Sequence, residues 1–191
     1  MTGLSGNRLY VALIHHPVID RNGRTIAAAV TNLDLHDIAR VCCTYDVNGF
    51  YVITPLEDQR VLVDQILDHW IDGAGGTYNP SRRQALERVR VRAALDEAIE
   101  EIAVEQGRRP LTMATTARRL GGSLPFGRLR EVLDDTQPLV LAFGTAWGLS
   151  DTFLAEADYL LEPLTGAGTY NHLSVRSAVS IILDRLLGQK I

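Results

Sequence analysis

Short apolar runs alternating with helix-patterned stretches predict an α/β fold, a mainly parallel sheet flanked by helices. Two observations carry this. Leu9-Tyr10-Val11-Ala12-Leu13-Ile14 and Leu139-Val140-Leu141-Ala142-Phe143 are continuous apolar runs of the length and kind that fully buried strands need. Between the runs, apolar residues recur at helical spacing, as in Leu35, Ile38, Ala39 and Cys42.

The elements follow in order. The run 9–14 is the first strand. Residues 34–45 form a helix, with Asn32 or Asp34 as its cap. Gly49 punctuates, and Phe50-Tyr51-Val52-Ile53 is a second strand stopped by Pro55. Residues 57–70 place Val61, Leu62, Ile66, Leu67 and Trp70 on a helix. Residues 73–80 read as a Gly-rich polar loop. A short strand is expected near Val89-Arg90-Val91, then a Glu-rich helix over 95–104. Gly107 and Pro110 bracket the turn into a strand over 111–115, and Gly121-Gly122-Ser123 is loop. A helix over 125–133 ends before Pro138, and the strand 139–143 runs directly into Gly144-Thr145-Ala146-Trp147-Gly148. A short helix over 152–157 and a last strand over 159–161 follow. After Gly166-Ala167-Gly168, a helix starts near His172 and runs to about Leu187, where Gly188 stops it. No repeat, low-complexity segment or composition shift divides the chain, so 1–191 is expected to form a single domain, with 1–8 frayed.

Composition narrows the function classes. Hydrophobic residues make up 46% and charged residues 22%, an ordinary globular balance. No apolar run approaches the ~20 residues needed to span a bilayer. Residues 1–8 lack the apolar core of a signal peptide, so a cytoplasmic protein with no membrane partner is expected. A net charge of -4 argues against a dedicated duplex binder and leaves nucleic-acid contact to local patches. Adjacent Cys42 and Cys43 have neither zinc-site nor C-x-x-C spacing. They read as small buried hydrophobes, and no metal is expected.

In open α/β sheets, ligands sit beyond the carboxyl ends of the strands. Three stretches there carry chemistry. In Phe143-Gly144-Thr145-Ala146-Trp147-Gly148-Leu149, two glycines after a buried strand allow close backbone approach to a ligand. The pattern is neither G-x-G-x-x-G nor a P-loop. In Leu160-Leu161-Glu162-Pro163-Leu164, a strand ends at proline. A Gly-rich loop then leads to Tyr170-Asn171-His172-Leu173-Ser174-Val175, where Asn171 is placed to cap a helix whose start offers N–H donors. Leu161, Leu164, Leu173 and Val175 supply an apolar wall. In the third stretch, Asn32, His36 and Arg40 step by four, and Asp37 lies three from Arg40. That helical face suits substrate contact. Each stretch alone also fits a bland reading: a tight turn, a capped core helix, a helix with a solvated side.

Taken in order, the three stretches resemble the three motifs of SPOUT RNA methyltransferases. An Asn opens a helix and an Arg follows (Asn32, Arg40). An apolar strand enters a Gly-containing loop (141–149). A Pro after a strand, a loop and Asn-x-x-Ser-Val open the last helix (161–179). With His15-His16-Pro17-Val18, they are most similar to a bacterial stand-alone subfamily related to tRNA (guanine-N1)-methyltransferases. The resemblance covers most of the chain.

It implies a C-terminal deep trefoil knot, an exception to the rule against knots, with the helix 172–187 threaded through a loop. It implies S-adenosylmethionine as cofactor, bent within the knot. The expected contacts are Thr115, Gly144, Leu161, Leu164, Leu173 and Val175, with Gly148, Pro163, Tyr170, Asn171 and Ser174 completing the set. It implies a homodimer in which the first-motif helix approaches the partner's cofactor. The substrate would be tRNA or rRNA, methylated at guanine N1 or at a ribose 2′-oxygen. For a 2′-hydroxyl, Arg40 orients and activates the acceptor. For guanine N1, Asp34 or Asp37 takes the proton; His36 or His172 suits either. Arg21, Arg24, Arg82 and Arg83 are the expected phosphate contacts. With Gln189-Lys190-Ile191 as the last residues, neither the C-terminal RNA-binding domain nor the Asp-bearing linker of the guanine-N1 enzymes is expected. RNA recognition is therefore expected from this domain or a partner. Two other classes stay open: a SPOUT-fold protein that holds cofactor or RNA without catalysis, and a non-methylating nucleotide-binding enzyme.

Overall fold

The structure, a computed structural model, describes residues 8–133 and 137–188. Of the expected frayed start, residues 1–7 lie outside the described residues, as does the end at 189–191. In chain order the elements are β1 (Leu9–Ile14), β2 (Val18–Ile19), β3 (Thr25–Ile26), α1 (Asn32–Thr44), β4 (Gly49–Ile53), α2 (Glu57–Ile71), α3 (Ala74–Tyr78), α4 (Pro80–Leu86), β5 (Val89–Arg92), α5 (Leu95–Gln106), β6 (Leu111–Ala114), α6 (Phe126–Leu133), β7 (Leu139–Gly144), α7 (Asp151–Glu156), β8 (Tyr159–Leu160) and α8 (Val175–Leu187).

Every residue of β1 is buried because the strand has neighbours on both edges and helices on both faces. The six-stranded sheet runs β5-β4-β1-β7-β6-β8, and each of its pairings is parallel, as expected. The period of two sorts its side chains. Leu9, Val11, Leu13, Phe50, Val52, Leu141 and Phe143 enter the core under α1, α2, α4, α6 and α8. Tyr10, Ala12, Ile14, Tyr51, Ile53, Val140 and Ala142 enter the core under α5 and α7. Cys42 is fully buried in the first core and Cys43 is half-buried beside it.

Three local expectations need correction. Residues 73–80 are not a loop: α3 and the start of α4 occupy them. The glycines that read as breakers are there for close packing. A Cβ on Gly75 would lie 2.8 Å from Trp70 Cε3, and one on Gly76 would lie 2.5 Å from the Trp70 carbonyl. Asn79 then caps α4, accepting from the Arg82 N–H at 3.0 Å, with Pro80 at the first helical position. Second, α1 is capped by Thr31, whose hydroxyl accepts from the Asp34 N–H at 3.3 Å, not by Asn32 or Asp34. Third, α8 begins at Val175 with Ser174 as cap. Asn171 instead donates to the Ala117 carbonyl at 2.9 Å and ties the preceding loop down. Between β1 and α1, β2 and β3 form a short hairpin whose turn holds Arg21 and Arg24. Asp20 fixes its turn by accepting from the N–H groups of Asn22 (2.7 Å) and Arg24 (3.0 Å).

The C-terminal path places the site. Leu161 donates to the Ala114 carbonyl and Glu162 to the Leu124 carbonyl, so the chain leaves the sheet edge pinned to the 115–125 connection. Residues 163–174 then carry it back, and α8 packs on α1 and β7.

Candidate functional site

The strand order reverses direction at β1 and β7: β4 and β5 lie on one side, β6 and β8 on the other. Such a switch point opens a crevice at the carboxyl ends of the strands. A cavity of about 780 Å³ lies there, within the ~300–1,000 Å³ range of small-molecule sites. Its lining comes from the segments after β1, β6, β7 and β8 and from the first turn of α8.

The floor is stitched by threonines. The Thr145 N–H and hydroxyl both donate to the Ile14 carbonyl at 3.1 Å, and the Thr115 N–H and hydroxyl both donate to the Ala142 carbonyl at 3.0 Å. Beyond them the chain turns sharply. Ala146 has φ 51° and Gly148 φ 106°, and the Gly148 N–H donates to the Thr145 carbonyl at 2.9 Å. Gly144 is pressed against this turn. A Cβ there would lie 2.5 Å from the Leu149 nitrogen and 2.8 Å from the Gly148 carbonyl carbon. Those are backbone atoms and cannot swing away. Gly144→Ala is therefore expected to cost about 2 kcal/mol of stability, as overpacking does, read by denaturant melts. The displaced turn should also weaken cofactor binding in calorimetry.

Charge enters from α1 and α8. Asp34 is only 7% exposed and lines the cavity. Its carboxylate accepts from the Thr31 hydroxyl at 2.6 Å and from Arg176 Nη1 at 3.2 Å. Arg176 Nε lies 3.5 Å from Asp37, so one guanidinium ties the first-motif helix to the last helix. Glu162 also faces the cavity, and its carboxylate accepts from the Phe126 N–H at 2.7 Å. Beneath the floor, His15 is wholly buried, its Nδ1 3.5 Å from the Thr145 hydroxyl and its Nε2 without a hydrogen-bond partner among the described residues. Burial pushes its pKa down to about 4, against a smaller upward pull from Asp34.

Of the expected cofactor residues, Thr115, Gly144, Gly148, Leu164, Asn171, Leu173, Ser174 and Val175 line the cavity. Leu161 is core, bonded to β6; Pro163 and Tyr170 are outside the lining, and Tyr170 is 79% exposed, edge-on to His172. Of the expected catalytic residues, Asp34 lines the cavity and Asp37 reaches it through Arg176. His36 and Arg40 do not line it. His36 packs edge-on to Trp70, and its pKa is lowered by burial first, then by Arg82 and Arg40. Among the expected RNA contacts, Arg21 lines the cavity and Arg24 pairs with Asp20. Arg82 stacks over Trp70 at 4.7 Å, and Arg83 pairs with Glu87 on the same helix. Sequence reasoning passed over Arg176, Glu162 and His15 as site residues. A charged residue in the first turn after Ser174, and a carboxylate at a strand end beside Pro163, were the available signals.

A family profile described as SAM-dependent RNA methyltransferase matches residues 8–188. The chain belongs to that family. Within it, the chain is 45% identical over 183 residues to a tRNA (guanine-N(1)-)-methyltransferase of Oleidesulfovibrio alaskensis, covering 96% of this chain and 43% of that protein. It is 46% identical over 192 residues to the protein of that name in Nitratidesulfovibrio vulgaris, covering 98% and 45%. The chain thus spans less than half the length of these curated relatives. Its fold matches that of a TrmH/SpoU tRNA modifying enzyme from A. aeolicus, with TM-score 0.56 and 19% identity over 97% of this chain and 76% of that one. That likeness is one of fold.

The cavity suits the family's cofactor. Phe143, Leu164, Val175 and Ile182 form an apolar wall of the kind an adenine would need, strand-end backbone would supply polar atoms, and the Asp34 and Glu162 carboxylates would suit a cationic sulfonium and ammonium. Among the described residues no His, Cys, Asp and Glu group could hold a metal ion, and no helix is long and apolar enough to cross a membrane.

Proposed function

We propose that this protein methylates guanine N1 in tRNA, with Asp34 as the base. The supporting observation is Asp34 itself: a carboxylate in the cavity wall, held by Thr31 and Arg176. The names of the two desulfovibrio relatives supply the acceptor atom. When bound, S-adenosylmethionine supplies an electrophilic methyl on a sulfonium that leaves as a neutral thioether. Asp34 accepts the N1 proton, so the N1 electron pair forms the new C–N bond while the sulfur keeps the pair of the broken S–C bond. Arg176 fixes the Asp34 carboxylate and Asp37 holds Arg176. The eight lining residues named above, with Leu161, Pro163 and Tyr170 shaping the loop behind them, hold the cofactor in this reading.

The same reading makes 1–191 one domain of a cytoplasmic homodimer, knotted where 163–174 crosses back from the sheet edge. Support for the knot is the pinned exit at Leu161 and Glu162 and the return of α8 onto α1. Support for the dimer is Leu33 at 62% and Leu173 at 49% exposure beside the Asp34–Arg176 pair. It also gives a role to Arg40 and His36, which do not line their own cavity and would face the partner's. Arg21 and Arg24 on the hairpin, and Arg82 and Arg83 on α4, contact RNA phosphates.

The test supplies S-adenosylmethionine carrying a labelled methyl to bulk tRNA and bulk rRNA from cells lacking this gene, followed by nucleoside mass spectrometry. Labelled 1-methylguanosine in tRNA is expected. Labelled 2′-O-methylnucleosides would replace the acceptor and move the chemistry to Arg40. No label in either RNA would leave a cofactor- or RNA-holding protein.

A further inference from the structure

The two tryptophans of this chain have opposite surroundings. Trp70 is packed among His36, His69 and Arg82. Trp147 lines the cavity yet is 68% exposed, which puts it at the mouth. Its backbone is fixed on both sides. The Trp147 N–H donates to the Ile19 carbonyl at 3.1 Å, and the Ile19 N–H donates to the Gly148 carbonyl at 3.0 Å. The turn is thereby clamped to the β2–β3 hairpin. The residues before and after Trp147 both have positive φ. For Ala146 that conformation is costly, and strain of this kind persists where a site requires it. The outcome is a large aromatic residue that contributes little to the core, carried on a fixed stretch of backbone beside the opening. Arg21, at the hairpin turn, lines the same cavity and brings a cation to the same side.

Resting on the reading of this chain as an RNA methyltransferase, we infer that Trp147 is the platform on which the target nucleobase stacks as it enters the cavity. An enzyme acting on a ring nitrogen must hold its base out of the stack, and an aromatic face replaces the lost stacking. The backbone clamp removes the backbone share of the ordering cost that a loose loop would incur. Arg21 is placed for a phosphate next to that base.

Trp147→Ala and Trp147→Phe test this, with S-adenosylhomocysteine and bulk tRNA as probes. Trp147→Ala should raise the KM for tRNA about tenfold or more, the size of one lost base–aromatic stack. Trp147→Phe should restore most of it. Affinity for S-adenosylhomocysteine and solution mass should stay unchanged in both. In a Trp70→Phe background Trp147 is the sole tryptophan, and its emission should be quenched by tRNA and not by S-adenosylhomocysteine. An unchanged KM, a parallel loss of S-adenosylhomocysteine affinity, or a change of oligomeric mass on Trp147→Ala would each overturn the assignment. Absence of methyl transfer by the unsubstituted protein would instead overturn the functional reading, and the fluorescence titration still decides the stacking.

Discussion

Asp34→Asn is expected to lower the rate of methyl transfer to tRNA by about 100-fold or more, the usual contribution of a positioned base. Affinity for S-adenosylhomocysteine should change little. The substitution keeps the shape of the side chain and an oxygen for the Thr31 hydroxyl, so α1 keeps its start. What it removes is the capacity to take a proton inside a wall that is nearly closed to water. Arg176 loses one of two carboxylates but keeps Asp37, and its side chain is 39% exposed, so the stability cost should stay near ~1 kcal/mol or below. A melting curve separates that small cost from the loss of turnover. Asp37→Asn should be milder, because the Asp37 side chain is 45% exposed and meets the cavity only through Arg176. Equal losses from the two substitutions, or turnover by Asp34→Asn close to that of the unsubstituted protein, would remove Asp34 as the base.

The strands were legible because burial on both faces writes a continuous apolar run, and β1, β4 and β7 all carry one. The cavity's location followed from strand ends and glycines, and Gly144 and Gly148 sit in it. Other features depend on tertiary contact and leave a misleading local mark. Gly75 and Gly76 look like a flexible loop and are in fact packed on Trp70. Asn171 looks like a helix cap, yet its partner is Ala117, far away in sequence. His36 and Arg40 share a face with Asn32, as helical spacing required, but spacing does not say what that face meets. Packing of α4 on α1, and of α2 on α4, puts Arg82 and Trp70 beside His36, while Asp34, on another face of the same helix, meets Arg176. Arg176 itself had no signature beyond a charged side chain after a serine cap. Only the return of α8 to α1 reveals what it does.

Burial of His15 beneath Thr145 has a consequence in pH. Unfolded, this imidazole titrates near ~6.5. Folded, burial holds its pKa at about 4. Above pH ~6.5 both states are neutral there and the native state keeps its full stability. As pH falls from ~6.5 towards 4, the unfolded chain takes a proton that the native protein refuses, so stability falls with pH. Over that window the loss from this one residue is about 3 kcal/mol. His36, also lowered but only half-buried, adds a smaller loss of the same sign. Chemical denaturation at pH values from 7 to 4 should show the decline, and His15→Leu, whatever its absolute stability, should flatten most of it. Parallel slopes for the two proteins would show that His15 is protonated in the folded state. The direction matters for the site as well. His15 lies under Thr145, the floor of the cavity, and an imidazolium there would oppose a sulfonium above it. Burial keeps that position neutral at working pH, so no imidazolium is added beneath a cavity whose wall includes the Asp34 and Glu162 carboxylates.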